Sequence, residues 1–93
     1  MASANIQLIG DGYLDPGKTT TKGWNNPPVK KVLGFWVAPK ALAPDELLVG
    51  PVSFQITSVT STMDKPNHFV VTVTVKNTGS NPHGFDLYMS YLT

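Results

Sequence analysis

From His68 to Lys76 apolar and polar residues alternate, with Phe69, Val71, Val73 and Val75 set against Thr72, Thr74 and Lys76. From Phe85 to Leu92 the pattern returns, with Phe85, Leu87, Met89 and Tyr91 flanking Asp86 and Ser90. A period of two is the mark of a strand with one face in a core. The segment Asn77-Thr-Gly-Ser-Asn-Pro-His-Gly84 between the two runs is dense in turn formers. The pattern therefore predicts a β-hairpin. Both apolar rows must face one core, so odd positions pair with odd. The register expected from this sets Val75 opposite Leu87, Val73 opposite Met89, Lys76 opposite Asp86 and Val70 opposite Leu92.

Three further strands are expected upstream. In Pro51-Val-Ser-Phe-Gln-Ile-Thr57, Val52, Phe54 and Ile56 alternate with Ser53, Gln55 and Thr57. Ser58–Met63 continues that strand after a parity break of the kind a bulge makes, and Asp64-Lys-Pro-Asn67 turns the chain. Val29–Val37 forms a strand with Leu33, Phe35 and Val37 inward. Ile6–Ile9 forms a short one. Pro44–Leu48 is expected to make one helical turn with proline near its start. Residues 10–28 read as a loop holding a short strand at Thr19–Lys22.

No window carries a sustained 3.6-residue apolar period, and Val and Thr, ten of each, are the commonest residues. The expected fold is all-β: a single domain over residues 1–93, a small antiparallel β-sandwich of about five to seven strands, immunoglobulin-like or jelly-roll in type. The stretch Val71-Thr-Val-Thr-Val-Lys-Asn-Thr-Gly79 resembles a strand and turn seen in many bacterial immunoglobulin-like modules. That resemblance covers about nine residues; it implies a fold and no activity.

Composition narrows the chemistry. The 93 residues include no Cys, which removes disulfides and thiolate metal sites. All seven basic residues are Lys, and the net charge is +1, a poor endowment for binding nucleic acid. No apolar run approaches the ~20 residues that span a bilayer, so no membrane partner is expected. The first residues lack a basic segment followed by an apolar one, so they do not read as a signal peptide. The expected location follows: cytoplasmic synthesis, with incorporation into a virion or release without a leader. Charged residues make up only 14% of the chain, against roughly 25% in an average soluble domain, which is expected where a partner covers part of the surface.

Gly12-Tyr-Leu-Asp-Pro-Gly-Lys-Thr19 fits the phosphate-loop pattern letter for letter. That pattern needs a helix starting at its Lys-Thr, and the β-branched, Gly- and Pro-broken segment from Thr19 to Pro28 supplies none. Pro16-Gly17 suits a plain turn instead. Asp11 and Asp15 fit an Asx-type turn better than a calcium loop. In the expected hairpin His68 and His83 lie roughly 25 Å apart, too far to share a metal. No converging carboxylates or nucleophile–base set is evident, so the expectation is a non-enzymatic protein with no cofactor.

Two features point to binding. Trp24-Asn25-Asn26 sits among Gly and Pro, and an aromatic ring beside amides is a platform on which a sugar can stack. Val70, Tyr88 and Leu92, with Trp36, are apolar residues on the nominally outer faces of their strands, which suggests a sheet buried on both sides. The leading expectation is a structural or assembly subunit that works by homo-oligomerisation, alone or with other assembly subunits, of the phage-virion or bacterial-assembly type. The alternative is a lectin-like carbohydrate-binding module centred on Trp24, Asn25 and Asn26.

Overall fold

The computed structural model describes residues 3–25, 32–43, 45–48 and 50–92. They form six strands: β1 (Ala4–Leu14), β2 (Thr19–Asn25), β3 (Val32–Pro39), β4 (Phe54–Lys65), β5 (His68–Asn77) and β6 (His83–Leu92). Two antiparallel three-stranded sheets result, one ordered β1-β6-β3 and the other β2-β5-β4. They face each other across a core in which Phe54 of one sheet meets Phe85 of the other, with ring centroids 5.3 Å apart. The first strand pairs with the last and the second with the fifth, a nested order. Immunoglobulin domains instead pair their first two strands, so this six-stranded sandwich departs from the immunoglobulin pairing.

The expected hairpin between β5 and β6 does not exist. The two strands lie in different sheets, each as the central strand. Lys76 lies opposite Thr19 and Gln55, and Val70 opposite Asn25 and Thr62. The expected inward rows are nonetheless largely right, because Val71, Val73, Val75, Phe85, Leu87 and Met89 are buried. Period-two patterning says which face of a strand is apolar. It does not say whether the other apolar strand lies beside it or across the core. Phe69, at the end of its row, is exposed.

Bulges account for most other departures. The expected parity break in β4 is a register shift between Ile56 and Ser58. A shift between Val32 and Gly34 leaves Leu33 exposed while Phe35 and Val37 pack on the core. Residues 29–31 of that expected strand lie outside the described residues. A third shift, between Leu8 and Gly10, turns Ile9 towards the core and leaves Ile6 and Leu8 outside. β1 is thus 11 residues long rather than a stub, and most of the expected 10–28 loop is strand. Its Gly12 is needed there, since a Cβ would sit 2.9 Å from the ring of Phe85. Asp15–Lys18 closes the turn to β2, with Lys18 N donating to Asp15 O at 3.1 Å and Gly17 at φ 77°, as a Pro-Gly turn of the second type requires. At the β4–β5 turn Asn67 takes a φ of 60°, a conformation Asn tolerates better than most residues. Asp45–Leu48 forms no helix; Glu46 N donates to Ala43 O and Glu46 Oε1 accepts from Ala43 N, closing one turn. Pro44 lies outside the described residues.

Among the described residues one polar residue, Asn77, is fully buried with this core. Asn77 ends β5 where the chain leaves one sheet for the other. Its Nδ2 donates to Leu14 O at 2.8 Å and to Asn81 O at 2.9 Å, and its Oδ1 accepts from Gly79 N at 2.9 Å. Its own amide donates to Lys18 O and its carbonyl accepts from Gly17 N. The end of β1, the β1–β2 turn and the β5–β6 crossover are thereby tied at one point, and this end of the sandwich is closed.

Two stability outcomes follow. Val73→Asp should cost about 4 kcal/mol, because an unpaired carboxylate enters the core, while Thr74→Asp on the outer face should cost no more than about 1 kcal/mol. Equal shifts in thermal melting would contradict the strand parity. Asn77→Ala should cost about 3 kcal/mol, since it takes the side-chain donor from the carbonyls of Leu14 and Asn81, while Gly79 N keeps its bond to Ser53 O. Asn77→Asp, which supplies no donor to Leu14 O and Asn81 O, should be no better in urea titration.

Candidate functional site

Residue parity along β6 sends Tyr88, Ser90 and Leu92 out of the core, and the flanking strands complete the face. Leu8 of β1 and Trp36 of β3 both lie directly opposite Tyr88, forming an apolar row across three strands. Ile6 is next along β1, opposite Ser90, which in turn faces Gly34. Ile6 is 77% exposed, Trp36 70% and Leu8 54%, while Tyr88 and Leu92 are half-buried. Such cross-strand neighbours lie within about 5–8 Å and act as one patch. The residues expected on one face from sequence were Val70, Tyr88, Leu92 and Trp36, and the structure brings the last three together with Ile6 and Leu8.

Val70 does not belong with them. It lies on the outer face of the other sheet, between Asn25 and Thr62, because β5 and β6 are not neighbours. That second outer face is hydroxylic: Thr21 bonds Thr74 and Thr60 bonds Thr72 across its strands, with Lys76 and Gln55 in the next row. The two outer faces of the molecule therefore differ sharply in chemistry.

Towards the closed end the apolar row gives way to charge. Asp11 and Asp86 lie directly opposite each other on β1 and β6. Lys40 sits between them, with Nζ 2.7 Å from Asp86 Oδ1 and 3.6 Å from Asp11 Oδ2. The hydrogen bond to Asp86 raises the Lys40 pKa above its ordinary 10.5, with further help from the charges of Asp86 and Asp11. A raised lysine pKa means a contribution present throughout neutral pH and lost only as pH climbs through that raised value.

Trp24 is half-buried where the two sheets meet at the opposite end. Its ring stacks on Phe35 at 6.0 Å and 16°, and its indole N–H donates to Ile9 O at 3.3 Å. It serves as a lid on the core. A cleft of about 240 Å³ beside it is bordered by Gln7, Leu8 and the exposed Asn25; Asn26 lies outside the described residues. A larger open groove, about 450 Å³, lies at the closed end between Tyr13, Lys40, Glu46 and His83. The polar groups there are largely engaged: His83 Nε2 meets Lys40 O at 2.7 Å, Glu46 accepts from Ala43 N, and Lys40 holds its two aspartates. His68, at the far end of the molecule, bonds Asp64, and that bond holds the Asp64 carboxyl below its ordinary pKa. Among the described residues no cluster of three or more His, Asp or Glu side chains could hold a metal, and no helix is long and apolar enough to cross a membrane.

Compared with known proteins, the chain matches no family model, no curated protein and no solved structure. The site is therefore defined by its own geometry: an exposed apolar row on one outer face, bounded by a lysine-bridged pair of aspartates. Ile6 and Leu8 escaped the sequence-based expectation because Ile6-Gln-Leu-Ile9 presents apolar residues of both parities. That double parity is the sign of a bulge, and it could have flagged them.

The charged boundary can be checked directly. Lys40→Met should lower the melting temperature at neutral pH, leaving two facing carboxylates unbridged, and adding Asp86→Asn should recover part of the loss. The gap between wild type and Lys40→Met should narrow as pH rises beyond 10.5. A double variant no more stable than the single one would contradict this account.

Proposed function

We propose that this protein is a non-enzymatic structural or assembly subunit that acts by binding further copies of itself, in the manner of phage-virion components and other bacterial assemblies. The observation that carries the reading is the Leu8–Tyr88–Trp36 row, an aromatic-centred apolar stripe left open on a sheet face. An exposed tryptophan beside a half-buried tyrosine is the kind of pair that interface hot spots are made of. Shape supports it. The radius of gyration is 15.1 Å, against about 12 Å for a compact domain of this length. The accessible surface is 6144 Å², about 900 Å² more than a compact monomer of this mass exposes. That excess is close to one partner's share of a standard protein interface, roughly 800 Å².

The energetics favour association that depends on concentration. Covering about 400 Å² of apolar surface on this face yields about 10 kcal/mol, against an association cost of about 4–15 kcal/mol. The carbohydrate reading has less support, because the Trp24 ring is stacked on Phe35 and its N–H is spent on Ile9. Asn25 and the small cleft beside it are what remain in its favour.

Sedimentation and native mass measurement decide the matter. Wild type should be larger than a monomer at high protein concentration, and Trp36→Lys should leave a folded species of lower mass with little change in melting temperature. A wild type that stays monomeric at every concentration would sink the proposal. Glycan binding lost on Trp24→Ala would transfer support to the alternative.

A further inference from the structure

The sheet β2-β5-β4 ends in β4, 12 residues long, and among the described residues no strand pairs with its outer side. Long exposed edges are normally protected by lysine, proline or an inward-pointing charge. From Phe54 to Met63 β4 carries none of these, its first charge being Asp64, and its two bulges, the other usual protection, leave Val59–Met63 regular between them. Its core-facing side is open as well. Val59, Ser61 and Met63 lie opposite Val73, Val71 and Phe69, so they share the inward face, yet Val59 is 51% exposed and Met63 59%. The other sheet, whose β3 lies against β4, leaves these two side chains about half exposed.

We infer that β4 is a second self-association surface, at which two copies pair edge to edge and antiparallel to make one continuous six-stranded sheet. A second copy fits because the strand is complementary to itself. Residues opposed across an antiparallel pair point to the same side, so inward residues must meet inward residues. With the two-fold axis at Ser61, Val59 of each copy lies opposite Met63 of the other on the inner side. On the outer side Thr60 meets Thr62, the kind of hydroxyl pair this face already forms between Thr60 and Thr72. Asp64 then faces Ser58 and Lys65 faces Thr57, so no like charges are opposed. The segment Val59–Met63 lies between the two register shifts of β4, where the strand is regular. This surface is distinct from the Leu8–Tyr88–Trp36 row and does not depend on it. If both operate, each molecule has two different two-fold contacts, and the product is larger than a dimer: a closed dihedral assembly where the axes meet, an open chain where they do not.

The cysteine-free chain makes the test clean. Ser61→Cys places one thiol on the axis, where opposed residues in an antiparallel pair are close enough for a disulfide. Ser58→Cys is the control: its two copies would lie about six positions apart, roughly 20 Å. Under mild oxidation Ser61→Cys should convert to a covalent dimer much faster than Ser58→Cys. Adding Met63→Lys, at an exposed position, should abolish the difference without lowering the melting temperature. Equal rates for the two cysteines, or no dimer from Ser61→Cys, would overturn the inference. Trp36→Lys in the Ser61→Cys chain should leave the cross-link intact even if the sheet-face reading is wrong. Loss of the cross-link in that variant would show that β4 is no independent surface.

Discussion

Asn77 is the constraint from which the rest of the architecture follows. A sandwich whose strands alternate between sheets must carry its backbone across the gap, and each crossing threatens to strand buried amides and carbonyls. Asn77 stands where β5 ends, and its side chain supplies two donors and an acceptor to two separate segments, the end of β1 and the β5–β6 crossover. An amide side chain can do this and a carboxylate cannot, because both oxygens of the latter only accept. The turn at Asp15–Lys18, which a pattern search reads as a phosphate loop, is held against the same residue by backbone bonds at Gly17 and Lys18. These bonds fix this end, where the Nδ2 of Asn81 is nonetheless buried without a partner, and most of the exposed apolar side chains of the strands lie towards the opposite end.

The division of labour between the outer faces explains the scarcity of charge. One face is dressed in threonine, whose hydroxyls bond one another and water while its methyl and β-branched form suits a strand. It needs few charges to stay wet. The other face places its charges at one edge, Lys40 with Asp11 and Asp86, and leaves aromatic and aliphatic residues in the middle. Apolar centre and polar rim is the usual arrangement of an interface.

Strand faces were legible in the sequence, and strand neighbours were not. Val71, Val73, Val75, Phe85, Leu87 and Met89 were placed inward correctly by alternation alone, as was the break after Ile56. The partnership of β5 with β6 was misread because one core can be shared side by side or face to face, and a turn-rich segment such as 77–84 serves both. That error put Val70 in a patch to which it does not belong. Tyr88, Leu92 and Trp36 still shared a face, because their outward parity was independent of the pairing. Asn77 read as one turn former among several; its burial depends on Leu14 and Asn81, which no local pattern connects to it.

The nested order has a kinetic side. β6 is the central strand of its sheet, flanked by β1 and β3, so neither neighbour has a ladder to join until β6 exists. β1 must wait through almost the whole length of the chain for its partner, with Ala4 finally meeting Leu92. Pairings this distant are slow to form, since the closure entropy of a long loop is spent before any contact returns it. During synthesis only the β2-β5-β4 half can assemble early, led by the local β4–β5 hairpin. Ile6, Leu8 and Trp36 then stand exposed on unpaired strands, and a cell making this protein in quantity must keep those segments from meeting one another before the last strand arrives.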